Sequence, residues 1–500
     1  MKFSAPRRLL LVLLALLTLL PSASATWSIV AVNRRTGEVC VASATCIPRV
    51  DLTEWTPVIL VGRGGGVTQA ALDDGSNKLR ILDGFLAGSS PQAILARIRA
   101  EDPGSRTRQF GIVDFTHDPL SFTGGGAGQA RKSVAGFVGD IAYAIQGNIL
   151  ASQNVIVQCE ATFRGSTGDL AQRVLAAMVR ARQLGGDGRC SCTPEALGDC
   201  GVPPPDFEKS AHIGYLLLAR MGDADGSCAL GQSCASGSYY LRLNVKGADA
   251  LHDDPDPVDQ LVERYASWRA ARAGRPDGLL SRVHAVDSLP ADGVTERTVT
   301  VELVDLEGER ILHGGALVEV ETEDGAPPLA TSGPVSDHGD GTYSFTLRAG
   351  TTSGVDRFVI RARDELVRAT LYPYLAVRSD PPAMLHAGRD RVSASAPEVV
   401  PFVVSAAARP GAKYWLFARF SGRKLRGSQP VVARFVVPGV TPFFPSPPGV
   451  LDALGRSEPV YAAPPGVLAA LIGLRLEWSA QLYGFGPPLE SNVVGFDVAP

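Results

Sequence analysis

The first place in this chain where residue types could do chemistry is Thr26, which directly follows the small-residue triplet Ala23-Ser24-Ala25. Upstream lie Lys2, Arg7 and Arg8, an apolar run from Leu9 to Leu20 broken by Thr18, and Pro21. A basic start, an apolar stretch and an A-x-A site form the pattern of a secretory signal over residues 1–25. Cleavage after Ala25 would leave Thr26 with both a hydroxyl and a free α-amine. An amine on the same residue is a known way to activate a weak alcohol nucleophile. The competing reading is plain: many exported proteins begin with a small or hydroxylated residue.

Other nucleophile schemes find less support. The chain has no G-x-S-x-G elbow, no H-E-x-x-H and no P-loop lysine motif. His117 and His212 read as structural histidines beside strands. Gly64-Gly65-Gly66 and Gly124-Gly125-Gly126 permit close backbone approach but fit no dinucleotide fingerprint. No cofactor is indicated.

The eight cysteines are Cys40, Cys46, Cys159, Cys190, Cys192, Cys200, Cys228 and Cys234. An even count behind an export signal points to disulfides, with about 105 possible connectivities. Cys190, Cys192 and Cys200, and Cys228 with Cys234, sit in Gly/Asp/Pro-rich loops suited to bridging. Zinc is the poorer alternative, because paired C-x-x-C spacing and an adjacent histidine are lacking. Asp223-Ala224-Asp225-Gly226 is equally weak as a metal site, so no metal is expected.

Losing residues 1–25 removes Lys2, Arg7 and Arg8 and takes the net charge from −3 to −6. That mild acidity argues against nucleic acid or an anionic membrane as partner. After residue 25 no apolar run is long enough to span a bilayer. These features describe a secreted, periplasmic or cell-surface protein with no membrane span in the mature chain.

The elements that must position Thr26 come next. Thr26–Arg34 and Glu38–Thr45 read as strands around the turn Arg35-Thr36-Gly37. Pro91–Asp102 reads as a helix with proline in its first turn. Asp169–Leu184 is a stronger helix, with Ser166 or Thr167 as cap and Gly185-Gly186 at its end. Gln109–Phe115, Ile141–Ile149, His212–Met221 and Tyr239–Val245 are strand candidates, and Pro257–Ala273 a closing helix. The expected division is a domain over 26–275, a linker over 276–285, and all-β domains over 286–380 and 381–500. In the first β domain, short alternating strands favour an immunoglobulin-like sandwich. There Asp337-His338-Gly339-Asp340-Gly341-Thr342-Tyr343 resembles the tight turn of filamin- and invasin-type repeats, and lacks EF-hand spacing. In the second, Trp415 and Trp478 read as core aromatics.

Several segments in order carry a wider resemblance. They are Thr26-Trp27-Ser28-Ile29-Val30-Ala31, Val41-Ala42-Ser43, Val67-Thr68-Gln69-Ala70, Arg108-Gln109-Phe110-Gly111-Ile112-Val113-Asp114 and Tyr143-Ala144-Ile145-Gln146-Gly147-Asn148. Gly185-Gly186-Asp187 and Asp254-Pro255-Asp256-Pro257 complete the set. Over about half the chain this pattern resembles the bacterial DUF1028 family, grouped with the N-terminal nucleophile (Ntn) hydrolases. The resemblance implies an α+β fold, an αββα four-layer sandwich, ahead of the two all-β domains. It implies Thr26 as nucleophile, with Asn148 or a backbone N–H beside Gly147 as oxyanion donor. Ser43, Thr68, Gln69 and Gln146 would lie near the cleft, and Asp187 would orient the amine or cap a loop. Ala44-Thr45-Cys46 departs from the family, which often has a longer or basic residue there.

Two functions follow as expectations. One is an exported Ntn-type hydrolase cleaving an amide bond in an unidentified substrate such as a peptide or cell-wall amide. The other is a non-catalytic binding or adhesion protein that retains the fold.

Overall fold

The computed structural model describes residues 25–247, 254–285, 287–325, 327–380, 383–406, 409–421, 434–436, 449–463, 465, 468–483 and 489–500. The expected signal, except Ala25, lies outside these residues. The chain divides into two compact units at Ala273/Gly274, a mixed α/β unit followed by an all-β unit.

In the first unit, β1 (Thr26–Asn33) and β2 (Glu38–Thr45) form an antiparallel hairpin. Gly37 supplies the positive φ (72°) that its turn requires. The following strands are β3 (Pro57–Leu60), β4 (Gly64–Ala70), β5 (Arg108–Asp114), β6 (Leu120–Thr123), β7 (Lys132–Val138), β8 (Ile141–Asn148), β9 (Ile213–Ala219) and β10 (Leu241–Val245). They make a six-stranded sheet, β10-β9-β2-β1-β8-β7, and a four-stranded sheet, β3-β4-β5-β6. The helices are α1 (Leu52–Trp55), α2 (Ser76–Leu86), α3 (Pro91–Glu101), α4 (Asn154–Gly165), α5 (Leu170–Gln183), α6 (Gly188–Ser191) and α7 (Pro257–Ala270).

Period-2 alternation gives the larger sheet two buried faces. Ile29, Ala31, Cys40, Ala42 and Tyr143 pack with residues of α4, α5 and α7. From the other face Val30, Val32, Val39, Val41 and Ala144 meet Ile59, Val67 and Val113 of the smaller sheet. The smaller sheet turns Val58, Phe110 and Ile112 toward Ile81 and Phe85 of α2 and Ile94 and Ile98 of α3. Gly65 makes the sheet-to-sheet approach possible, since a Cβ there would lie 2.8 Å from Val39 Cγ1.

Helix α5 has its cap two or three residues later than expected. Asp169 takes the cap, accepting from the Gln172 N–H at 2.8 Å while the Gln172 side chain accepts from the Asp169 N–H at 2.9 Å. Ser166 instead ends α4, a helix that sequence periodicity had not revealed.

In the second unit, one β pair of sheets buries Val299, Val301, Tyr343 and Phe345 against Val318, Phe358, Ile360 and Val377. The turn before the Thr342–Arg348 strand is closed by Asp337, which accepts from the Gly339 N–H (2.8 Å) and Gly315 N–H (2.7 Å). Further along, Leu385, Phe402 and Val404 pack with Tyr414, Leu416 and Phe496. Trp478 is buried there, its ring 5.3 Å from Phe402, whereas Trp415 is half-buried.

Candidate functional site

Thr26 is the first residue of β1, opposite Asn148 at the end of β8. Parity places Thr26, Ser28, Thr45, Ser43, Gln146 and Asn148 on the face of the larger sheet that looks toward the smaller one. The Thr26 N–H donates to Asn148 Oδ1 at 3.1 Å, and Asn148 Nδ2 donates to the Ala127 carbonyl at 2.9 Å. Asn148 therefore meets the Thr26 nitrogen as an acceptor. Its neighbour Ile149 has φ 47°, a conformation costing a β-branched residue on the order of 1–3 kcal/mol. Two hydrogen bonds hold it there, Ile149 N–H to Gln129 O (2.8 Å) and Gly188 N–H to Ile149 O (2.9 Å).

Beneath Thr26 runs a buried amide network between the sheets. Gln69 Nε2 donates to Thr26 O at 3.0 Å and to Gln109 Oε1 at 2.9 Å. Gln109 Nε2 donates to Gly147 O at 2.9 Å. Ser28 joins Gln69 Oε1 (2.5 Å) and Gln146 Nε2 (2.6 Å). The missing side chain of Gly111 makes room, because a Cβ there would meet Gln146 Oε1 at 2.5 Å. Ser43 donates to Trp27 O at 2.9 Å and so braces the backbone next to Thr26. These groups fix where Thr26 sits.

Asp187 is fully buried and caps α6. It pairs with Arg189 (Nη2 to Oδ2 2.8 Å, Nε to Oδ1 3.1 Å) and accepts from the Cys46 N–H at 2.7 Å. Arg189 Nη2 also donates to the Ala25 carbonyl at 2.9 Å and lies 3.4 Å from Thr45 Oγ1. Thr45 Oγ1 donates to that same carbonyl, and Thr26 Oγ1 lies 2.6 Å from it. Asp187 itself is anchored by its N–H to Ser210 O (2.9 Å), and Ser210 by its N–H to Asp256 (2.6 Å). Burial pushes the Asp256 carboxyl upward despite these donors.

The structure thus gathers Thr26, Ser43, Gln69, Gln146, Gly147, Asn148 and Asp187 around the start of β1. Thr68 is a correction. It alternates with Val67 and Gln69, so its side chain lies on the opposite face of β4, across from Phe110 in the helix-covered core. Sequence reasoning passed over Thr45, Gln109 and Arg189. Arg189 had one available signal, its position beside Cys190 and two residues after Asp187.

Three disulfides form: Cys46–Cys190, Cys192–Cys200 and Cys228–Cys234. Cys40 and Cys159 depart from the expectation and are free. Both sit inside regular elements in the helix-side core, where they act as small apolar side chains. Burial pushes both thiols well up. His212 approaches the Cys46 and Cys190 sulfurs, but those sulfurs are bonded to each other.

Comparison with known proteins bears on both units. Residues 26–194 match the model of a family of unknown function, DUF1028. Residues 280–362 match invasin domain 3. Among solved structures the chain is similar to protein SPO2555 from Silicibacter pomeroyi, described as DUF1028. The identity is 20%, over 49% of this chain and 89% of that one, with a TM-score of 0.36. It is also similar to the adhesin InvE of Yersinia pseudotuberculosis, at 18% identity over 43% of this chain and 58% of that one, with a TM-score of 0.19. The D0-D1 domain of intimin matches at 15% identity over 43% and 97% of the two chains, with a TM-score of 0.17. No curated protein matches. Among the described residues no helix is long and apolar enough to cross a membrane.

Proposed function

We propose that this is an exported Ntn-type hydrolase that cleaves an amide bond, with Thr26 as nucleophile once residues 1–25 are removed. The carrying observation is the Thr26 nitrogen held on Asn148 Oδ1 beside its own hydroxyl, on a buried polar floor. The order of helices, two facing sheets and helices supports reading residues 26–275 as the αββα sandwich of that class. The all-β segments 286–380 and 381–500 are read as separate modules; the stretch 276–285, expected as a linker after the first domain, is read with the first of them, because Arg282–His284 is a strand paired with Glu296–Glu302. Three disulfides and the invasin-domain match favour an extracellular or surface location.

In this reading Thr26 Oγ attacks the amide carbon and its proton passes to the α-amine. The carbonyl electron pair moves to oxygen. Collapse of the adduct breaks the C–N bond, and the leaving amine takes the proton from the Thr26 ammonium. Water then hydrolyses the Thr26 ester, releasing a carboxylic acid and restoring the hydroxyl. A terminal amine titrates near pH 7.7–8.0 when unperturbed, so a usable fraction is neutral at physiological pH. Asn148 orients that amine. Gln69 and Ser43 hold the backbone around it.

The second reading, a non-catalytic surface-binding protein, is favoured by the invasin-domain match alone. One experiment separates the two: the amino terminus of the exported chain by intact mass and terminal sequencing, followed by capture with an acylating probe. A free Thr26 that is esterified in the wild type and untouched in Thr26→Ala supports the hydrolase. A start elsewhere, a blocked amine or no esterification leaves the binding protein.

A further inference from the structure

In the uncleaved chain the Ala25 carbonyl oxygen is the acceptor for Arg189 Nη2 and Thr45 Oγ1, with Thr26 Oγ1 2.6 Å away. Ala25 and Thr45 are fully buried, and the Arg189 side chain is 25% exposed. Both donors are built in. Arg189 is locked by two hydrogen bonds to the buried Asp187, and Cys46–Cys190 ties the residue after Thr45 to the residue after Arg189. Removal of Ala25 takes away the acceptor and leaves the donors.

We propose that Arg189 and Thr45 form a carboxylate-binding acyl-oxygen site immediately before Thr26, filled by the Ala25 carbonyl until the chain is cut. This rests on the reading of Thr26 as the mature first residue. The site would hold the oxygen of an acyl group presented to the threonine, and would favour the carboxylate that a released acyl group carries. Asp187 neutralises one positive charge, and the Thr26 ammonium adds one on the ligand's side. An anionic oxygen therefore gains more here than a neutral one. Arg189 thus becomes a specificity-determining group, and Asp187 the residue that positions it.

The test compares acetyl-Ala-Ser-Ala with a free carboxylate against the same peptide as its C-terminal amide, by calorimetry on the exported chain beginning at Thr26. The carboxylate should bind at least about tenfold more tightly, as expected for a charged hydrogen bond. Arg189→Met should abolish the preference. Thr45→Val, which leaves the Arg189–Asp187 pair and the disulfide in place, should weaken carboxylate binding several-fold. Uncleaved chain should bind neither peptide. Equal affinities, no carboxylate binding at millimolar peptide, or a preference that survives Arg189→Met would overturn the proposal. Thr26→Ala separates it from the hydrolase reading: that variant keeps the amine and the cradle, so it should lose acyl capture and retain carboxylate binding.

Discussion

Replacing Cys46 and Cys190 by alanine tests whether the start of β1 depends on a long-range tie. Their bridge closes a sequence separation of 144, against 8 for Cys192–Cys200 and 6 for Cys228–Cys234. In the chain-entropy model these loops stabilise by about 5, about 2.5 and about 2 kcal/mol, as upper values. The differences between the pairs are firmer than the absolute figures, because the constant part of the loop-closure entropy is common to all three and cancels. Cys46→Ala/Cys190→Ala should therefore cost about 2–3 kcal/mol more than either other pair. Amide hydrogen exchange of peptides from β1, β2 and β8 in increasing urea reads the first unit alone, as a two-unit chain requires. It should also show the largest local loss of protection at Thr45 and Arg189, which flank the bridge. A cost equal to that of Cys192→Ala/Cys200→Ala would refute the loop argument. It would mean that the fold already holds Cys46 and Cys190 together without the bond.

Denatured, unreduced protein should titrate two thiols, Cys40 and Cys159, while native protein at neutral pH should titrate neither, since burial raises both. Asn148→Asp should place a carboxylate about where Oδ1 now meets the Thr26 nitrogen, raising the mature amine's pKa by about 1–3 units; an unchanged amine titration by NMR would remove Asn148 as its partner. Burial pushes the Asp102 carboxyl upward, but hydrogen bonds from Arg108, Asn77 and the Gly104 N–H outweigh it and hold the pKa below the usual value. Its contribution should be complete above about pH 4 and lost as pH falls through the lowered value, so Asp102→Asn should flatten acid unfolding measured by circular dichroism. Gly111→Ala should displace Gln146 and cost about 1–3 kcal/mol in urea unfolding, through the bonds that Ser28 and Ser121 lose.

The hairpin was legible in the sequence because both of its strands are buried on both faces and flank a glycine turn, and the observed strands are Thr26–Asn33 and Glu38–Thr45. Helix α3 was legible through Pro91 in its first turn. Helix α4 was not. Its segment NVIVQCEATFRG mixes β-branched and polar residues, and Gln153 gives it no side-chain cap. Strand β4 was hidden for the opposite reason: Gly64-Gly65-Gly66 has almost no strand propensity, and tertiary packing alone makes it a strand. Close approach was readable there, and Gly65 does lie against Val30, Val39 and Val41, but the partner was not.

The site divides along the same line. Residues on β1 and β8 could be found because strand pairing turns sequence segments into a fixed register, Thr26 opposite Asn148. Thr68 went astray because a matched segment does not say which face a side chain takes, and a strand reverses that face at each residue. Arg189 and Thr45 are 144 residues apart in sequence and are brought within 3.4 Å of each other by the Ala25 carbonyl they share, the Asp187 cap and the neighbouring disulfide. None of those has a local signature that names its partner. Arg189 differs from the rest of the site in one respect: a guanidinium fixed by a buried carboxylate and aimed at the residue before a threonine has a direction. That direction is toward whatever oxygen replaces the one Ala25 supplies.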